Sequence, residues 1–311
     1  MRGIEGAREY FRLYGKKIKE QFPDVIKYLA FGICGQGSEC LGFDDEISRD
    51  HDFEPGFCIF LPDEDVVGRK TAFELERAYS DLPKEFDGAK RSLVAPVGGS
   101  RRGVIRISEF FEARVGEGGG RLSNRQWLSI PEFYLLEATN GEIFEDNYGL
   151  MTETRKRLGR FPEDIRLKKL ASNLLLCGQS GRYNFQRCIS HGETGGAQLA
   201  VFEFVNAAMK TVFLLNRKYC PFYKWSFRAL KGLDKLSQLS DSFEFLITSD
   251  NDQKTAALKA EIIEDICRMI TSELRAQKLI GGEEDPELQA YAVNSSISDP
   301  EIRNMNILAG V

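Results

Sequence analysis

The sequence predicts an α+β protein in which a small α+β head with a mixed sheet is followed by an α-helical second half. Three observations carry this. Short apolar runs bounded by glycine and polar residues cluster in the first third of the chain, as buried strands do. Apolar residues recur at helical spacing in long segments of the second half. The chain has 311 residues, 42% of them hydrophobic and 29% charged, which is ordinary for a globular protein and enough for two domains.

Taken in order, residues 5–28 place Tyr10, Phe11, Tyr14, Ile18, Phe22 and Ile26 at helical spacing, predicting one or two amphipathic helices. Tyr28 to Cys34 reads as a first buried strand running into a Gly37-Ser38 turn, and Phe57 to Leu61 as a second. Residues 69–80 read as a helix stopped near Pro83. The runs 92–97 and 104–107 are further strand candidates, joined by a glycine-rich loop. These elements make a first domain over 1–115, and the glycine-rich stretch 115–120 is the expected linker. Helical segments near 162–178, 194–218 and 253–279 fill a second domain over 121–280. Residues 281–311, polar and punctuated by Pro286 and Pro300, read as an extended C-terminal tail.

Composition narrows the function classes. A net charge of −5 argues against a dedicated nucleic-acid partner. The N-terminal residues lack an apolar signal core, and the apolar segment Leu199–Leu215 is interrupted by Glu203, Asn206 and Lys210, so neither secretion nor a membrane span is expected. Seven scattered cysteines without Cys-X-X-Cys spacing suit reduced thiols, and two histidines do not suit a zinc site. The expected location is cytoplasmic.

The chemistry concentrates in residues 37–52. Gly37-Ser38 offers a small turn, a hydroxyl and close backbone approach, as phosphate oxygens require. Twelve residues past Ser38 comes Asp50-His51-Asp52. On an extended chain residues i and i+2 face the same way, so Asp50 and Asp52 project together and His51 points away. Two adjacent carboxylates repel unless a cation lies between them, and hard oxygens favour Mg²⁺. Read alone, Asp-X-Asp also suits a solvated strand start, and Gly-Ser an ordinary turn.

A strand ending in Gly37-Ser38, a short helix and Asp50-X-Asp52 on the next strand resemble the nucleotidyltransferase superfamily, the polymerase-β-like fold. More narrowly, Gly37-Ser38, Leu41-Gly42, Asp44-Asp45, Ser48 and Asp50-His51-Asp52 resemble an uncharacterised bacterial domain-of-unknown-function family with a helical C-terminal half. Trp127-Leu128-Ser129-Ile130-Pro131-Glu132 and Tyr219-Cys220-Pro221-Phe222-Tyr223-Lys224-Trp225 carry that resemblance into the second half.

The resemblance implies a nucleotidyltransferase-like N-terminal domain that takes Mg²⁺ or Mn²⁺ and a nucleoside triphosphate, with ATP the expected donor. A nucleoside monophosphate would pass to a hydroxyl of a small molecule or protein. Asp50 and Asp52 would hold the metal, while Gly37, Ser38 and Arg49 would hold phosphate. Lys224, among the aromatics of 219–225, is a candidate for phosphate and a stacked base, although those aromatics also suit a core.

The superfamily also places a third carboxylate on a later strand. The corresponding run here, Val104-Ile105-Arg106-Ile107, has no acid, and Glu109 follows in what reads as a helix capped by Ser108. Glu203 is the candidate replacement as general base, because Glu203, Asn206 and Lys210 form one polar stripe on an otherwise apolar helix. The same stripe suits the solvent face of a packed helix. The missing acid leaves one alternative of another class, a catalytically silent nucleotide- or ligand-binding sensor with the same fold.

Overall fold

The computed structural model describes residues 3–45, 54–91 and 102–311. Arg49, Asp50, His51 and Asp52 therefore lie outside the described residues, as does the strand candidate at 92–97. The chain divides into two compact units. One comprises Met1–Leu122 with Phe133–Gly159, and the other Ser123–Glu132 with Arg160–Val311.

The first unit opens with helix α1 (Gly3–Gln21) and continues through β1 (Ala30–Ile33), α2 (Ser38–Leu41), β2 (Cys58–Leu61) and α3 (Arg69–Ser80). A hairpin of β3 (Glu85–Phe86) and β4 (Ala89–Lys90) follows, turning at Asp87 and Gly88, both with positive φ. Next come β5 (Gly103–Arg106) and α4 (Ile107–Val115). Helix α5 (Asn124–Ser129) lies in the second unit, after which α6 (Glu132–Thr139), β6 (Glu142–Asp146) and α7 (Leu150–Leu158) follow.

Four strands form a mixed sheet in the order β5-β2-β1-β6. Strand β1 runs antiparallel to both β2 and β6, while β5 is parallel to β2. The residues of β1 and β2 are buried throughout, which explains why both read as unbroken apolar runs rather than alternations. On one face the Phe11 ring of α1 packs at 5.1 Å from both Phe31 and Phe57 and at 5.5 Å from Phe144. On the other, Phe60 of β2 meets Phe110 of α4 at 5.3 Å. Gly32 admits β6, since a Cβ there would stand 2.5 Å from the Glu142 carbonyl oxygen.

Two expectations are corrected here. The first sheet draws its last strand from residues beyond the expected boundary at 115, because β6 satisfies the free edge of β1. The glycine stretch is packed turn of the first unit rather than a linker. Gly116 ends α4 in the left-handed region, Gly118 lies against Ser108, and Gly120 lies against Thr154 and Leu158.

The second unit is helical: α8 (Glu163–Cys177), a π-helical segment Gly178–Asn184, α9 (Phe185–Ser190), α10 (Thr194–Leu215), α11 (Tyr223–Leu230), α12 (Leu239–Thr248) and α13 (Gln253–Ala276). Helix α10 is long and apolar enough to cross a membrane, but 61% of its apolar window is buried inside the protein, as in a core helix. The expected extended tail is instead helical, with α14 (Pro286–Ser295) and α15 (Pro300–Asn304). Pro286 and Pro300 start these helices rather than breaking them, each preceded by an aspartate, Asp285 or Asp299, whose side chain accepts the first backbone N–H groups. The tail is held by buried cations of α8. The Lys168 ammonium donates to Asn294 Oδ1 at 2.9 Å and to the Met305 carbonyl at 2.8 Å, and Lys169 donates to the carbonyls of Leu128 at 3.1 Å and Gly310 at 3.4 Å.

Ending the chain at residue 281 should strip those acceptors from Lys168 and uncover the α8 face against which buried Ala290, Val293, Ile297 and Ile302 of the tail pack. We expect loss of cooperative unfolding of the second unit by circular dichroism, and an unchanged transition would contradict the packing. An acid limb is also expected. Hydrogen bonds from Arg166 and then Arg217 hold the Glu163 carboxyl down to about 2, so its contribution is complete above the ordinary 4.5 and is lost as pH falls toward about 2. Glu163→Gln should flatten the pH dependence of the unfolding midpoint across that window and leave it unchanged above it.

Candidate functional site

Strand β1 delivers the chain into a turn that only glycine makes without strain. Gly35 has φ 110° and Gly37 φ 115°, a region closed to ordinary L side chains. Ser38 then starts α2, buried at 2% exposure, and Gly42 ends that helix with φ 70°. Gln36 and Gly37 remain open to solvent, fully and in part respectively.

A second corner clamps this turn. Gly35 N–H donates to Asn140 Oδ1 and Asn140 Nδ2 donates to the Gly35 carbonyl, both at 2.8 Å. The Gly141 N–H reaches the Cys40 carbonyl at 3.0 Å. Gly141 has φ 66°, and a Cβ there would stand 2.1 Å from the Ile33 carbonyl oxygen. The α6–β6 corner thus holds both ends of the Gly35–Cys40 segment.

Charge is arranged around the turn at low exposure. Glu39 and Arg102 form an ion pair at 2.5 Å with both side chains 3% exposed. Burial pulls the Arg102 pKa down, but Glu39 together with the neighbouring Cys58 and Cys40 leaves the guanidinium above its ordinary value. The Arg114 guanidinium stacks over Phe110 at 3.8 Å and donates to the Phe110 carbonyl at 2.8 Å. It also lies against Gly35, where a Cβ would stand 2.6 Å from its Nη2. Arg155 of α7 donates through Nη2 to the Thr139 carbonyl at 2.7 Å. Burial raises the thiols of Cys34, to about 12, and Cys58, to about 11, and holds Cys40 well above its usual range. All three stay protonated at neutral pH and serve as packing groups rather than nucleophiles.

Of the expected site residues, Gly37 and Ser38 lie in this turn, while Arg49, Asp50 and Asp52 fall outside the described residues. Among the described residues no group of three or more His, Cys, Asp or Glu could hold a metal. Strand β5 carries no acid, and its Arg106 side chain is bound to the carbonyls of Pro62 at 2.7 Å and Val67 at 3.1 Å. Ser108 is not the cap of α4, which begins one residue earlier after Arg106; its hydroxyl donates to Asp63 instead.

Glu203 and Lys224 belong to the second unit. Glu203 and Asn206 are exposed on α10 beside exposed Leu199 and Phe202, so the stripe is of mixed polarity. Lys224 is exposed with its ammonium 4.8 Å from the Trp225 ring centre.

The two distinctive runs of the second half meet within the second unit. Glu132, buried, accepts from the Cys220 N–H at 3.0 Å, and burial raises its pKa against the opposing pull of Lys169. Phe161 bridges the runs, 5.9 Å from Trp127 and 4.7 Å from Tyr219. Sequence reasoning missed this contact and also the Asn140–Gly35 clamp. Asn140-Gly141 is a turn signal that could have marked the corner, but nothing in the sequence tied it to Gly35.

Because Glu39 and Arg102 are desolvated together, removing one takes from the other its buried partner of opposite charge. Arg102→Met should destabilise the protein by about 3–5 kcal/mol in denaturant titration. The double substitution Glu39→Leu/Arg102→Met should recover a large part of that loss. Equal losses in the single and double variants would contradict a coupled pair.

A family described only as a domain of unknown function (DUF4037) matches residues 127–226, about a third of the chain. The matched span opens at Trp127 and takes in both runs joined by the Glu132–Cys220 hydrogen bond. No curated protein matches the chain.

Proposed function

We propose that the chain is a nucleotidyltransferase that uses Mg²⁺ or Mn²⁺ to move a nucleoside monophosphate from a nucleoside triphosphate, with ATP as donor, to a hydroxyl of a small molecule or protein. The observation that supports this most is the order β1, glycine turn, Ser38, short helix, β2, with β2 antiparallel to β1 and β5 parallel to β2. It is the strand, Gly-Ser turn and short helix that the resemblance to the superfamily implies, and Gln36 and Gly37 of the turn keep backbone accessible to a phosphate.

In this reading Gly37 and Ser38 bind the terminal phosphates, and Arg49 adds charge next to them. Asp50 and Asp52 would hold the metal, whose fit rests on the hard carboxylate oxygens of that pair. The ion supplies neutralisation of the triphosphate and of the departing pyrophosphate. The acceptor hydroxyl oxygen forms a bond to the α-phosphorus as the bond to the bridging oxygen breaks, and pyrophosphate leaves. The hydroxyl proton passes to a general base; Glu203 and Lys224, both on the second unit, carry their candidate roles from the sequence alone.

One observation favours a second reading. With no acid on β5, and Arg106 tied to backbone carbonyls, the first sheet lacks a third carboxylate at that strand. A nucleotide-binding sensor without turnover would need none.

Pyrophosphate release should be tested with ATP, GTP, CTP and UTP against a panel of hydroxyl metabolites and proteins. Transfer should depend on the divalent ion and fall by roughly two orders of magnitude or more in Asp50→Asn and Asp52→Asn, since each removes charge stabilisation from the transition state. Thermal stabilisation by nucleotide without any product would select the sensor. Neither turnover nor metal-dependent nucleotide binding would sink both readings.

A further inference from the structure

We propose that Arg114 and Arg155, at the base of the Gly35–Ser38 turn, are a pair of phosphate-binding residues that grip the terminal phosphates of a triphosphate seated there. The inference rests on the nucleotidyltransferase reading for the identity of the ligand, but its geometry stands apart from it. Neither arginine belongs to the Gly-Ser and Asp-X-Asp motifs.

The two guanidinium groups come from different helices, α4 and α7, and converge on one place. Both act electrostatically on the buried thiol of Cys34, the residue immediately before Gly35. Arg114 lies against Gly35, where a Cβ would stand 2.6 Å from its Nη2. Arg155 is anchored on the Thr139 carbonyl, next to the Asn140 amide that brackets Gly35 from the other side.

Each group is held by its protein contacts and left incompletely satisfied. Arg114 Nε and Arg155 Nη1 are buried with no hydrogen-bond partner among the described residues. A buried charged donor without an acceptor is costly, and native structures keep such groups where a ligand or function requires them. Part of the positive charge is offset, since Glu137 acts on Arg114 and Glu39 is taken up by Arg102. What remains is planar, forked and poorly hydrated, the chemistry that recognises phosphate oxygens two at a time. Exposed Gln36 and partly exposed Gly37 put accessible backbone beside it.

The test is calorimetric titration of the full chain with sodium tripolyphosphate, and separately with ATP and Mg²⁺. Variants are Arg114→Gln, Arg155→Gln and, as a control on an exposed neighbour in α7, Lys156→Gln. Tripolyphosphate affinity should fall about tenfold or more in each arginine variant, as the loss of charged hydrogen bonds demands, and stay within twofold in the control. Arg114→Lys and Arg155→Lys keep the charge but lose the fork. Their affinities should lie between the wild type and the glutamine variants, which keeps the test open if a glutamine variant fails to fold.

Affinity unchanged in the arginine variants would overturn the inference, while ATP–Mg²⁺ binding in the same samples would leave the nucleotidyltransferase reading intact. Arginine-dependent tripolyphosphate binding with no pyrophosphate release from any nucleotide would uphold the inference and count against the enzyme. Wild-type protein that binds neither probe would overturn both.

Discussion

The buried ion pair between Glu39 and Arg102 is the constraint on which the first unit's candidate site depends. Two charges withdrawn from water repel the fold unless they meet, and here they meet at 2.5 Å with almost no solvent. Glu39 follows Ser38 directly, and Arg102 stands immediately before β5. The pair therefore ties the helix behind the glycine turn to the far edge of the sheet. Gly3 sits against the Glu39 side chain, so the start of α1 is shaped around the same charge. A turn with two left-handed glycines has many conformations available when unfolded. The ion pair on one side and the Asn140 clamp on the other select one of them.

How much of this was legible follows from the range of each interaction. Strands β1 and β2 announced themselves because both faces are buried and every residue is apolar or glycine. Helices α3, α8, α10 and α13 were visible for the matching reason, since their periodicity is local. The candidate turn was legible from Gly37-Ser38 alone. Strand β6 was not, because three of the five residues of Glu142-Ile143-Phe144-Glu145-Asp146 are acidic and the segment finds its place against β1. Its acids are matched across the fold, Glu142 by Arg8 and Glu145 by Lys19, residues more than a hundred positions away.

The prolines show the same limit from the other direction. Pro286 and Pro300 carry a helix-breaking signal in a polar stretch, yet a proline at the first helical position breaks nothing. The preceding Asp285 and Asp299 were the better guide. What the sequence alone could not show was the reason for the tail to dock, namely that Lys168 and Lys169 present buried ammonium groups that donate to Asn294 and to backbone carbonyls of the tail. Likewise Arg155 belongs to the basic run Arg155-Lys156-Arg157, yet it reaches inward to the Thr139 carbonyl while Lys156 and Arg157 stay exposed. One residue of a charged run can thus be structural, and it is the tertiary acceptor that selects which.

The central claim is that the Gly35–Ser38 turn seats a triphosphate. The most direct measurement is a crystal structure of the full chain grown with a non-hydrolysable ATP analogue and Mg²⁺. The account predicts triphosphate density against the backbone of Gly37 and Ser38, an ion between the phosphates and Asp50 and Asp52, and phosphate oxygens within hydrogen-bond distance of Arg114 and Arg155. A nucleotide bound elsewhere on the protein, with the turn unengaged at saturating ligand, would contradict it.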